Sequence, residues 1–302
     1  MKVEVIPWVL LLSMQLSLAA ITATATVSNT APSISNIWIT ETTGTPVSSL
    51  DPATEYYIIV NVTDSNSLKD IENITLTLYN NSLNSPDSTR YHYTFKFDND
   101  TLSFSEIGPG NTHLITADCS YPTLTNVYGN YTFAIRLNET AIPSTWVLWV
   151  NVTDSAGNKV SKNVTFSVNE YISASLDDSS LTFSGSPGTN DVPASENPTV
   201  VTVKSNVNFS IQVKGSGDFV GSTDSSFTIP LSYLTFDDDS TPSESTETGL
   251  AEKSCDTVYQ ILYSNVGYGY NVAKNIYWFL DIPNGILAQE YTTTIYVGVF
   301  SA

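Results

Sequence analysis

The chain has 302 residues, with eleven Lys and Arg against thirty Asp and Glu, for a formal net charge of −19. So few cations exclude a surface that neutralises nucleic-acid phosphates or clings to anionic lipid. The length suits two domains, each able to bury its own core. A composition rich in Thr, Ser, Asn, Val and Tyr suits half-buried β-strands with polar outer faces.

Met1 and Lys2 open a weakly basic start, followed by apolar and then small residues over 5–25. This pattern predicts a secretory signal peptide, 1–25, with cleavage after Ala20 or Ala25. An uncleaved anchor is the alternative, but Ser13, Gln15 and Ser17 interrupt a membrane span. No second long apolar run follows, so the mature chain is expected outside the cell with no membrane span. "ITATATV" (21–27) alternates apolar residues with Thr. Cleavage after Ala20 would free it as a strand able to complete a neighbour's sheet edge. Otherwise it is the tail of the signal or the first strand of its own domain.

Period-two alternation then governs the chain. In 55–63, Tyr56, Ile58, Val60 and Val62 share one face and Tyr57, Ile59, Asn61 and Thr63 the other. The segments 35–40, 73–79, 91–97, 130–137, 146–153 and 163–168 alternate in the same way. They predict an all-β sandwich over 32–169. A second set at 198–205, 207–215, 226–231, 257–263, 275–282 and 291–300 predicts a second β-sandwich over 170–302. Between its strands, 235–254 is acidic, rich in Ser and Thr, and reads as a long loop.

One hexapeptide, VNVTDS, occurs at 60–65 and again at 150–155, and residues 56–80 align without a gap on 146–170. With "VTDSNSLKDIENITLTLY" and "VNVTDSAGNKVSKNVTFSV", residues 32–169 resemble the immunoglobulin-like (Big- and cadherin-like) modules of bacterial and archaeal surface proteins. The resemblance implies that the first copy spans strands B to C and the second F to G. The second half, with "FTIPLSYLTF" and "YWFLDIPNGILAQEYTTTIYV", is similar to C-terminal β-sandwich modules of secreted archaeal and bacterial surface proteins. Those modules often carry a Gly-Thr-Tyr turn where this chain has Ala288-Gln289-Glu290-Tyr291.

In an immunoglobulin sandwich the B–C and F–G loops emerge at one end. Asp64 and Asp154 read first as turn formers, because Asp and Asn bond local backbone. They also predict, with Asp70, a convergent carboxylate tip that binds Ca²⁺, which takes several oxygen ligands. The acidic runs 98–100, 177–178 and 237–239 are further candidates for the ion and read first as solvated loops.

Nine Asn-x-Ser/Thr sequons occur, at Asn61, Asn73, Asn80, Asn99, Asn130, Asn138, Asn151, Asn163 and Asn208. All are expected on outer faces or loops, where glycans would solvate a sheet and block edge pairing. The two cysteines, Cys119 and Cys255, allow one disulfide in an oxidising compartment without their spacing requiring it; separately buried thiols are the alternative. His92 and His113 read as surface residues. Trp146 reads as core, and Trp149 as an outward contact residue able to stack on a sugar or a neighbouring module.

No metal-ligand Cys–His spacing, nucleophile elbow, zinc-protease motif or phosphate loop is present. The chain is therefore expected to work by contact, not as an enzyme, with no cofactor except Ca²⁺. It reads as a glycosylated cell-surface structural or adhesion protein, a subunit of an envelope layer or filament. Its partners would be its own copies or other envelope proteins. A glycan- or Ca²⁺-binding module and a secreted polysaccharide hydrolase are the rival readings.

Overall fold

The computed structural model describes residues 22–83, 88–241 and 253–302. The signal-peptide reading falls mainly outside the described residues, as does most of the acidic loop. The chain is all β. Among the described residues, the helical segments are three single 3-10 turns, and no helix is long and apolar enough to cross a membrane.

The first sandwich uses nine strands. They are β1 (Ser33–Glu41), β2 (Ser49–Leu50), β3 (Glu55–Thr63), β4 (Ile71–Asn80), β5 (His92–Asp98), β6 (Ser103–Gly108), β7 (Tyr128–Arg136), β8 (Ser144–Asp154) and β9 (Lys159–Val168). One sheet has the order β1-β3-β7, and the facing sheet runs β2-β9-β8-β4-β5-β6. That is an immunoglobulin-like arrangement, closed by β2 running parallel to β9. Residues 22–27, the alternating segment before β1, form no strand.

The alternation is what builds the layers. Ile58, Val60 and Val62 of β3 are fully buried against Ile74, Leu76 and Leu78 of β4 and Leu148, Val150 and Val152 of β8. Each such side chain contributes about 1.5–3 kcal/mol of transfer free energy on burial. Tyr93, Phe95, Phe97, Phe133 and Trp146 fill the centre. Trp146 also satisfies its indole by donating to the Ile142 carbonyl at 2.9 Å.

The two copies of the hexapeptide lie in different contexts. β3 and β4 belong to opposite sheets, joined by a loop holding a 3-10 turn at Leu68–Asp70. β8 and β9 pair directly, joined by a tight turn in which Gly157 adopts φ 84°.

The second sandwich follows immediately. Its strands are β10 (Ile172–Leu176), β11 (Val192–Pro193), β12 (Thr199–Ser205), β13 (Phe209–Gly215), β14 (Phe219–Gly221), β15 (Thr228–Ile229), β16 (Leu234–Asp237), β17 (Lys253–Ser254), β18 (Gln260–Val266), β19 (Gly269–Leu280), β20 (Tyr291–Thr292) and β21 (Ile295–Ser301). The largest sheet runs β10-β12-β19-β16-β17, and it faces β18-β13-β21 and the small sheet β15-β14-β20. Phe209, Phe236 and Trp278 lie at its centre, in a core separate from that of the first sandwich.

A polar clamp joins the two. Asn206, in the turn between β12 and β13, is fully buried. Its Nδ2 donates to the carbonyls of Ala141 (2.8 Å) and Asn169 (2.9 Å), and its Oδ1 accepts from the Tyr171 amide (2.7 Å). Arg90 of the first sandwich donates through Nη1 to the Thr140 carbonyl and through Nη2 to the Asn206 carbonyl. Its guanidinium stacks on the Tyr268 ring, 3.3 Å from the centroid. Lys204 lies 3.4 Å from Glu139 at the margin.

Candidate functional site

The loop end of the first sandwich opposes the carboxylates of Asp64, Asp70 and Asp154. Asp64 follows the last residue of β3, Asp70 immediately precedes β4, and Asp154 ends β8. One oxygen from each lies within 4.8 Å of the others. The register explains the meeting: Ile71 of β4 pairs with Asp154 of β8, which draws the two loops together.

Each carboxylate has a local task. Asp64 Oδ1 accepts from the Asn66 amide (2.7 Å). Asp154 Oδ1 accepts from the amides of Ala156 and Asn158, and its Oδ2 accepts from the side-chain amides of Asn158 and Asn29. Asp70 Oδ1 accepts from the Ser155 hydroxyl. The turn-forming reading of these residues accounts for these bonds.

It does not account for the remaining oxygens. Asp64 is 1% exposed, and its Oδ2 has no hydrogen-bond partner; neither has Asp70 Oδ2. Burial pushes the Asp64 carboxyl above its ordinary range, and the charges of Asp70 and Asp154 add to this against the Asn66 amide. Asp154 shifts the other way. Burial opposes its charge, but the Asn158 and Asn29 donors outweigh burial and hold it below the usual range. The Tyr131 hydroxyl is also buried without a partner. Burial, then the Asp64 charge, raise the pKa of that phenol.

The N-terminal segment closes over this end. Besides the Asn29 contact, the Thr30 amide donates to Asn66 Oδ1 (2.7 Å), and Asn66 Nδ2 donates to the Ser28 carbonyl (3.2 Å).

The acidic run at 237–239 departs from its reading as a solvated loop. Asp237 is 1% exposed at the end of β16, and its Oδ2 is unpartnered. Burial, with the Asp238 and Asp239 charges adding to it, pushes its carboxyl up to about 6. His113 also departs from the surface reading. It is buried, its Nδ1 lies 2.8 Å from Glu106 Oε1, and Glu106 Oε2 accepts from the His113 amide. Glu106 thereby pins the loop after β6.

The sequons do not share one environment. Asn130, Asn163 and Asn208 are exposed, and Asn61, Asn73, Asn99, Asn138 and Asn151 are half-buried. Asn80 is 2% exposed, contrary to its expected place on an outer face. Its Nδ2 donates to Ser144 Oγ and its Oδ1 accepts from the Ser82 and Leu83 amides. As the last residue of β4 it caps the following turn. Asn61 and Asn130 are direct cross-strand partners, with Asn61 Nδ2 donating to Asn130 Oδ1 at 2.7 Å.

Cys119 and Cys255 are both free thiols. Cys119 packs on the first core and Cys255 within the second, so the bridge the sequence allows does not form. Burial pushes both thiols up to about 11. Trp149 is 37% exposed on the outer face, between Thr77 and Asn163 on the flanking strands, and its indole donates to Asn151 Oδ1.

Sequence reasoning missed the Asn206–Arg90 clamp and the Glu106–His113 pair. Asn206 sits in Ser-Asn-Val-Asn between two strands, which reads as an ordinary turn. Its role depends on two carbonyls far away in sequence, and no local pattern announces them.

No protein-family model matches the chain, and no curated protein matches it. Among solved structures the chain is similar to dimeric latent PorU from Porphyromonas gingivalis, at 12% identity and a TM-score of 0.28, over 91% of this chain and 20% of that one. It is also similar to BcpA, the major pilin subunit of Bacillus cereus, at 12% identity and a TM-score of 0.25, over 84% of this chain and 67% of that one. The chain thus spans about a fifth of the PorU chain.

Proposed function

We propose that the chain is an extracellular structural protein of the cell surface. It is exported through its N-terminal segment and glycosylated on its first sandwich. It works as a stiff two-sandwich unit that holds contacts with copies of itself or with other envelope proteins, without chemistry of its own.

The observation that carries this reading is the clamp of Asn206 and Arg90 between the sandwiches. Domains in one chain move relative to one another by default. A wholly buried amide with two bonds across the junction, to the Ala141 and Asn169 carbonyls, opposes that, because each bond broken by bending leaves a buried polar group unpaired. A fixed angle between modules is what a lattice or filament subunit needs and what a freely diffusing binding module does not. The dense sequons of the first sandwich support an exposed life outside the cell, since glycans solvate sheet faces and block edge-to-edge pairing.

The test is to isolate the mature protein from native cell envelopes and image it by electron microscopy. Threads or a lattice containing this chain are expected. Dispersed monomers released into the medium would overturn the structural reading.

A further inference from the structure

We propose that Asp64, Asp70 and Asp154 bind a divalent cation of calcium's size, and that this cation clasps the N-terminal segment at Ser28–Thr30 onto the loop end of the first sandwich. The inference is separate from the assembly reading and does not depend on it.

Three carboxylates within 4.8 Å do not by themselves make a site. Two further observations point to a ligand. The first is Asp64 Oδ2, which belongs to a side chain 1% exposed and accepts no hydrogen bond. A buried carboxylate oxygen without a partner is costly, and two more carboxylates beside it add repulsion. The second is the Tyr131 hydroxyl, which is fully buried, close enough to feel the Asp64 charge, and also unpartnered. Turn formation explains Asp64 Oδ1 and leaves Oδ2 without a purpose. A cation supplies one.

The donor set favours calcium. Calcium accepts about 6–8 oxygens in a flexible shell, carboxylates among them, whereas magnesium demands a near-ideal octahedron and keeps several of its waters. One oxygen from each of the three carboxylates lies within 4.8 Å of the others, close enough to share one such ion. Asp64 Oδ2 and Asp70 Oδ2 are available as they stand. Asp154 Oδ2 is held by the amide groups of Asn29 and Asn158. Amide nitrogen and oxygen exchange places by a half-turn of the side chain, so both residues can offer Oδ1 to the ion while Asp154 turns its own oxygen to it. Water would complete calcium's oxygen shell.

The consequence lies in Asn29. It belongs to the exposed segment before β1 and touches the rest of the molecule at this end. An ion shared by Asn29, Asp64, Asp70 and Asp154 fastens that segment to both copies of the repeated hexapeptide at once. Without the ion, the hydrogen bonds that hold the segment here are, among the described residues, those with Asn66 and the Asn29 contact.

The test strips the purified chain with chelator and titrates CaCl₂, then MgCl₂, by calorimetry. A single saturable calcium site is expected, with a dissociation constant on the order of 10⁻⁴–10⁻³ M, the range of extracellular modules, and weaker magnesium binding. Asp70→Asn is the main variant, because asparagine keeps the shape and an Oδ1 that can still accept from the Ser155 hydroxyl; it should weaken calcium at least tenfold with an unchanged circular dichroism spectrum. Asp237→Asn controls for the other buried acidic group and should bind as the parent does. Hydrogen exchange over 28–32 should slow at least tenfold with calcium in the parent and not in Asp70→Asn. No saturable heat up to about 10 mM calcium, or equal affinity in Asp70→Asn, overturns the site. Binding that leaves exchange over 28–32 unmoved overturns the clasp.

Discussion

Asn206 of the second sandwich donates its side-chain amide to the main-chain carbonyl of Ala141 in the first, across 2.8 Å, with both residues fully buried. This bond lies at the end of the first sandwich that meets the second, and the three carboxylates lie at the end where the N-terminal segment docks. The two ends do different work, and the predictions separate them.

Asn206→Ala should cost about 2–3 kcal/mol, because it leaves the Ala141 and Asn169 carbonyls and the Tyr171 amide without their partner in a buried junction. Urea unfolding followed separately in the two sandwiches should then show two transitions where the parent shows one. A single, unshifted transition would mean that the clamp does not couple them.

Arg90→Lys should cost about 1 kcal/mol or slightly more. Lysine keeps the charge but loses the planar fork that reaches both the Thr140 and Asn206 carbonyls, and the stacking on Tyr268. Since Arg90 bonds the main-chain carbonyl of the turn that the Asn206 side chain holds in place, their effects should not add. A double-mutant cycle should give a coupling above about 0.5 kcal/mol.

Sequon occupancy should follow burial. In protein from its native source, peptide mass spectrometry should find glycan at Asn163 and Asn208, which are exposed, and none at Asn80, whose amide is enclosed and bonded. Asn61 and Asn130 should not both be modified on one molecule, because they are direct cross-strand partners joined by their own side chains. Glycan at Asn80 would show that the end of β4 opens.

The Asp237 carboxyl gives a pH dependence of definite sign. It takes up its proton at about 6 in the folded chain, against 3.8 for an ordinary carboxyl. Between those values the folded state holds a proton that the unfolded state lacks. This contribution to stability is complete below 3.8 and is lost as pH rises through about 6. Asp237→Asn should therefore stabilise the protein at pH 7.5 by about 2 kcal/mol and much less at pH 4. Melting temperatures of parent and variant across that range check this, and a constant offset would refute it.

Cys119 and Cys255 should remain thiols in the mature protein. Intact mass should be the same with and without reductant, apart from glycan heterogeneity. Both thiols should react slowly with a disulfide reagent at pH 8, because burial raises them to about 11 and keeps the thiolate scarce.

Much of this was legible in the chain itself. Alternation in 55–63 names the buried face of β3 residue by residue, and alternation in 146–153 names that of β8 except at Val147 and Thr153, which are also buried, since successive strand side chains point to opposite faces. The doubled VNVTDS announces two equivalent strand ends, and with the immunoglobulin order it brings Asp64, Asp70 and Asp154 to one place. Asn80 and Asp237 show where such reading stops. Both are polar residues at strand ends, and polarity puts them in solvent, although the period sets Asn80 on the inward face with Leu76 and Leu78. Both are buried while their Oδ1 atoms accept from the amides that follow, Ser82 and Leu83 for Asn80 and Asp238 for Asp237. Trp146 and Trp149 mark the same divide more mildly: alternation separates them correctly into core and surface, yet only the sheet order sets Trp149 beside Asn163. Alternation is a property of one strand and can be read along it. The partners of Asn206, the loneliness of Asp64 Oδ2 and the separation of the two cysteines depend on which strands lie beside one another, and only the packed chain decides that.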